Sequence, residues 1–192
     1  MGFTKIKYCI FWISVLIGTG AFGQKYYVAN EGNAIVTFRD NGEMLLAKSQ
    51  KADIIFNRRK LILWITIRAD DFESGKRKRD KTLFRKNKNE FVIKVDLSQK
   101  QVIESHNDHL SFAMIARVFN QNEIGPATLV GSLGDGDQII KKSLSLYLNM
   151  GLESRWMGAG FSELVSCPVI GIWVSAELLP YDDDRLKITR ND

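Results

Sequence analysis

The sequence is poor in the residues that most often carry chemistry. It has two cysteines and two histidines in 192 residues. Cys9 lies in an N-terminal apolar run, so Cys167 is the only cysteine of the remainder. One thiol makes no internal disulfide, and stability must come from packing. Cys167 stands beside Pro168 in an apolar setting and reads as a buried thiol, with pairing between chains as the alternative. The histidines stand in Ser105-His106-Asn107-Asp108-His109, a spacing that brings both rings together on a helical turn. Glu104 or Asp108 would add an oxygen, but no third strong ligand follows at a characteristic spacing, and H-E-x-x-H is absent. The expectation is an exposed polar turn without a metal. No G-x-S-x-G elbow and no Walker loop occur. Gly134-Asp135-Gly136-Asp137 lacks the acid alternation and closing Glu of a calcium loop, and reads as a hairpin turn. Glu163 and Asp182-Asp183-Asp184 read as solvated surface. These absences argue against an enzyme and against a cofactor.

Long apolar runs are also missing. The run Tyr8–Ile17 is too short to span a bilayer, which takes about 20 apolar residues. Lys5 and Lys7 precede it, and Gly18, Thr19, Gly20 and Ala21 follow. That is the layout of a secretory signal peptide over residues 1–23, with Ala21 and Gly23 placed for cleavage before Gln24. The expected address is periplasmic or secreted. Only three prolines occur, no linker or repeat divides the chain, and residues 24–192 read as one domain.

What is present is charge and alternation. The net charge is +5, and Lys76–Lys88 holds eight lysines and arginines against one acid, Asp80. A secretory address removes nucleic acid as the partner of this run. A solvated loop, an anionic lipid or glycan surface, or a rim meeting an acidic ligand remain.

Period-two alternation marks half-buried strands. In Lys60–Asp70, Leu61, Leu63, Ile65, Ile67 and Ala69 share one face. Phe91, Ile93, Val95 and Leu97 repeat the pattern, as do Leu144, Leu146 and Leu148, and then Ile170, Ile172, Val174, Ala176 and Leu178. Ala34–Arg39, Met44–Ser49, Ala52–Asn57, Ser111–Phe119 and Ala127–Ser132 are weaker candidates. Asp40-Asn41-Gly42 is a strong hairpin signal. About nine strands with short turns indicate an all-β antiparallel fold, a sandwich or a barrel. Segments 72–90, 98–110 and 151–166 break the rhythm and are expected to be short helices or loops. Ile62, Trp64, Tyr147 and Trp173 fall on the faces opposite the apolar ones. They pack on loop residues such as Phe72 and Trp156, or the barrel has an apolar lumen.

The residues of the first third carry a resemblance. Ala34-Ile35-Val36-Thr37-Phe38, Glu43–Ser49, Ala52–Asn57 and Leu61–Ile67 closing on Asp71-Phe72 resemble the opening of YceI-like proteins. Leu129–Leu133, Gly134–Asp137 and Ile170–Leu179 are compatible with that family's closing strands. The resemblance implies a secreted or periplasmic lipocalin-like barrel that holds a long isoprenoid chain in its lumen. The chain departs from the family in the basic run, which lacks the family's histidine, tyrosine and proline, and at Asn122–Pro126, which lacks a histidine-glycine step.

The expectation is therefore an antiparallel lipocalin-like β-barrel with a few short helices or loops, binding an amphiphilic lipid. The expected apolar lumen comprises Phe38, Phe56, Leu61, Leu63, Ile65, Ile67, Phe72, Phe91, Ile93, Val95, Leu146, Ile172 and Val174. Lys76, Arg77, Lys78, Arg79 and Arg85 form an expected basic rim, directed at a ligand phosphate or an anionic membrane surface. The alternative is a filled barrel, a non-enzymatic envelope protein that docks through the basic loop. The oligomeric state is left open. Signal cleavage is checked by intact mass and N-terminal sequencing of natively purified protein: the expected first residue is Gln24, and an intact Met1 would refute cleavage.

Overall fold

Alternation becomes antiparallel pairing throughout the computed structural model. It describes residues 26–40, 42–85, 89–98, 102–106, 109–120, 123–135, 143–158, 161, 162, 165 and 168–181. Its strands are β1 (Tyr26–Asp40), β2 (Glu43–Asn57), β3 (Ile62–Arg68), β4 (Glu90–Asp96), β5 (Val102–His106), β6 (His109–Asn120), β7 (Glu123–Asp135), β8 (Leu144–Glu153) and β9 (Val169–Tyr181). The described residues also include a helix, α1 (Arg77–Leu83), and 3-10 turns at Ala69–Asp71 and Ser154–Met157.

The sheet runs β4-β3-β2-β1-β9-β8-β7-β6, and β6 returns to β4. Eight strands thus close a barrel, and β5 pairs beside it on β6. The closing seam is short: Val92, Ile93 and Lys94 face Phe119, Val118 and Arg117. β5 occupies the same edge of β6 further along, where Val102 faces Phe112. Closure removes the unpaired edges that an open sheet exposes.

Local sequence explains the turns and breaks. Asp40 pairs with Glu43 across a two-residue connection in which Gly42 has φ +84°. The two weaker candidates Met44–Ser49 and Ala52–Asn57 are one strand, and the break between them is a bulge. Ala34 faces Ser49 while Gly32 faces Ala52. The slip reverses the alternation, so β2 buries Ala47 and Ser49 before it, and Ala52, Ile54 and Phe56 after it.

Two expectations need correction. Segment 98–110 is neither helix nor loop throughout, because Val102–His106 and His109 onward form a hairpin. His106 and His109 are register partners across that hairpin and do not share a helical turn. Segment 151–166 also begins as strand, since β8 extends to Glu153. Gly134 and Asp135 end β7, while Gly136, Asp137 and Cys167 lie outside the described residues.

Strand direction sorts the connections into two ends. The turns at 40–43 and 120–123, and the long connections 69–89 and 154–168, share one end, which is the capped end. The turn at 58–61 and the β7–β8 connection lie at the other. Between the ends the interior is apolar and closely packed. Val36, Ile54, Ile65, Ile93, Ile172 and Leu178 are fully buried. On β7, Gly131 lets β8 approach: a Cβ there would clash with Leu148 Cδ2 and lie 2.8 Å from the Tyr147 carbonyl. Gly131→Ala is expected to cost about 1–3 kcal/mol, as overpacking does. Urea denaturation would read this loss, and an unchanged midpoint would show that the contact is relieved without strain.

Candidate functional site

The strands bring the expected lumen residues together. Phe38, Phe56, Leu63, Ile65, Ile67, Phe72, Phe91, Ile93, Val95, Leu146, Ile172 and Val174 are all buried and belong to one contiguous cluster. Leu61 is the exception. It sits in the β2–β3 turn, 39% exposed, with φ 54°. The turn needs a left-handed residue there, and the Leu61 carbonyl accepts from the Leu97 N–H at 2.8 Å. The alternation that assigned Leu61 inward stops at Ile62, where β3 begins.

Aromatic side chains close the capped end. Phe38 comes from β1, Phe72 and Phe84 flank α1, and Phe161 follows the second 3-10 turn. Their ring centroids lie 5.1 Å (Phe38–Phe161), 5.7 Å (Phe84–Phe161), 5.9 Å (Phe72–Phe84) and 6.1 Å (Phe38–Phe84) apart. Such pairs contribute about 0.5–1.5 kcal/mol each beyond the area they bury. Phe84 and Phe161 were not assigned to the lumen from sequence. The available signal was an aromatic residue in each segment that breaks the strand rhythm.

Trp156 joins the same core at 1% exposure. Its ring crosses Gly125 so closely that a Cβ there would lie 2.5 Å from Cζ2. The Arg155 guanidinium lies 5.1 Å from the ring centroid. Among the described residues, the Trp156 indole N–H is the buried side-chain donor without a hydrogen-bond partner. An unmade bond of this kind costs about 1–3 kcal/mol.

The basic run forms the outside of this cap. α1 turns Leu83 toward the core, and Phe84 follows it there. Lys76, Arg77, Lys78 and Lys81 are exposed, Arg79 is half-buried, and Arg85 lies 3.7 Å from Glu73. Two devices hold the segment down. Lys48 and Glu73 exchange backbone hydrogen bonds of 2.9 Å, tying it to β2. The buried carboxylate of Asp80 accepts from the Ser74 N–H at 2.8 Å and from the Ser74 hydroxyl at 2.5 Å.

Other polar groups form paired surface networks. Arg68 donates to Asp70, and Lys51 to Asp71. The pairing with Asp70 raises the Arg68 pKa further. Burial, and secondarily the charge of Asp71, raise the Asp53 carboxyl pKa. The ionised form is thus disfavoured in the folded state, and this penalty fades as pH falls from the raised value through the ordinary carboxylate range. Among the described residues, no group of three His, Cys, Asp or Glu side chains is placed to hold a metal. Met114, Leu129, Val130 and Asn149, on β6, β7 and β8, border an open depression of about 460 Å³.

No family model matches the sequence, and no curated protein matches it. Solved structures do match. One is a polyisoprenoid-binding domain from Saccharophagus degradans, implicated in plant cell wall breakdown. The match has a TM-score of 0.60 and covers 83% of this chain and 100% of that one. The chain has the fold of a polyisoprenoid-binding domain. At 8% identity the likeness lies in the backbone, and it is the lipocalin-like barrel that the YceI resemblance implied. Among the described residues, no helix is long and apolar enough to cross a membrane.

The cap's dependence on its polar latch is testable. Asp80→Ala leaves the Ser74 N–H and hydroxyl unpaired and should cost about 1–3 kcal/mol. Amide hydrogen exchange should quicken across residues 76–85 and stay slow in the strands. Unchanged protection in 76–85 would mean that the aromatic contacts and the Lys48–Glu73 backbone bonds hold the cap without the latch.

Proposed function

We propose that the protein is a non-catalytic binding protein that holds a long-chain amphiphilic lipid, isoprenoid-like in character, within its barrel. The observation that carries this reading is the fold. The closed barrel matches a polyisoprenoid-binding domain over that domain's whole length. The packed apolar interior fits the same chemistry. Burying one chain methylene contributes about 0.8 kcal/mol, so even a short stretch of polyprenyl chain gains useful affinity before binding costs.

Trp156 adds a chemical detail. A buried indole N–H inside an apolar cluster suits an oxygen at one end of the ligand, such as an alcohol, a carbonyl or a phosphate. The cations above the cap give a phosphate a second attraction. A periplasmic or extracellular address, after removal of residues 1–23, belongs to the same proposal.

A specific observation favours a second reading, the filled barrel. Four phenylalanines and Trp156 pack the capped end, and the side chains of the proposed lumen already fill one another's spaces. In that reading the barrel is a scaffold and the basic cap is the working surface.

Mass spectrometry of an organic extract from natively purified protein separates the two. A stoichiometric long-chain lipid, above a matched control protein, is expected for the binding protein. Trp156→Phe, which removes the donor together with part of the ring, should then weaken retention of that lipid severalfold. An extract without lipid, together with no uptake of added polyprenol, would leave the filled barrel.

A further inference from the structure

The capped end combines two kinds of exposed surface. The first is positive charge concentrated on α1, while Glu43 and Glu90 stand exposed elsewhere around the same end. Several acids of this end are already engaged: Asp70 with Arg68 at 3.1 Å, Glu73 with Arg85 at 3.7 Å, and Glu123 and Glu153 with Arg155 at 3.2 and 2.7 Å. Asp80 is buried in its latch with Ser74. Lys76, Arg77, Lys78 and Lys81 are exposed and make no ion pair among the described residues.

The second is apolar. Met44 stands beside the β1–β2 turn, Ile124 beside the β6–β7 turn, and Val169 at the first residue of β9. They are 69%, 68% and 53% exposed. Their strand positions place all three on the outward faces, at the perimeter of the same end. Large apolar side chains exposed beside a basic platform are the surface that an anionic bilayer selects. Cations meet the headgroups, while apolar tips enter the acyl boundary.

We infer that the capped end is a docking surface for an anionic lipid bilayer, with α1 lying on the headgroups and Met44, Ile124 and Val169 entering the boundary around it. This goes beyond lipid binding in the barrel and holds whether or not the barrel carries a ligand. The arrangement also explains a division within one short segment. Residues 76–85 turn Leu83 and Phe84 inward to hold the cap and turn their cations outward. The opposite end has cations as well, Arg59 and Lys60 in the β2–β3 turn, and so supplies an internal control.

The test is sedimentation of natively purified protein with phosphatidylcholine vesicles, with and without phosphatidylglycerol. Comparison among variants cancels any contribution from residues 1–23. Preference for the anionic vesicles, lost at high salt, is expected. A cation near an anionic surface contributes about fivefold, so Lys76→Gln with Arg77→Gln should weaken binding by roughly 25-fold. The matched pair Arg59→Gln with Lys60→Gln should change it less than about twofold, being at the far end. Met44→Ser with Ile124→Ser, at constant charge, should also weaken binding. Thermal unfolding of each variant confirms that the barrel is intact. Equal losses from the two charge pairs, no preference for anionic vesicles, or retention on an anionic polysaccharide without vesicle binding would each overturn the inference.

Discussion

Everything in this structure depends on a seam of three residue pairs. β6 meets β4 only at Val92–Phe119, Ile93–Val118 and Lys94–Arg117. Without that seam the sheet would be an open ribbon with two edges, and its apolar face would need a second layer to cover it. With the seam, the inward faces of eight strands enclose one another. Backbone pairing and side-chain burial then reinforce each other. Closing the cylinder buries Ile93 and Val118, and their burial holds the closure.

Closure leaves the two ends to be managed, and the chain treats them differently. Both long connections leave strands at the same end, and each contributes aromatic residues to the interior. The cap is therefore a continuation of the core, held by ring contacts and by the Ser74–Asp80 latch. Its outer surface is free to carry charge. The same ten residues supply a hydrophobic plug and a basic platform because a single helical turn presents opposite faces.

The alternation of large apolar residues was legible in sequence, and with it the all-β class, most strands and most of the interior. Period two is a local signal, and Leu63, Ile65 and Ile67 obey it without help from the rest of the chain. Three kinds of feature were not legible. The bulge at 49–52 looks like a gap between strands, because a slipped register reverses the phase on either side. Leu61 continues the pattern by coincidence, while turn geometry governs its backbone. The pairing of β4 with β6 skips over β5, and no local pattern encodes such a partnership. The cap falls between these cases. Its charge was plain, but Phe84, Phe161 and Trp156 become core residues only once both connections reach the same end.

The proposed function requires a lipid among side chains that now touch one another. The most direct measurement is methyl NMR of the isoleucines during titration with a polyprenol long enough to run the barrel. Ile54, Ile65, Ile93 and Ile172 face inward and are fully buried, whereas Ile115 and Ile124 stand outside, 70% and 68% exposed. Binding within the barrel should shift the inward methyls and leave the outward ones in place. Shifts confined to Ile115 and Ile124, or no shifts at all, would contradict it and leave the barrel as a filled scaffold.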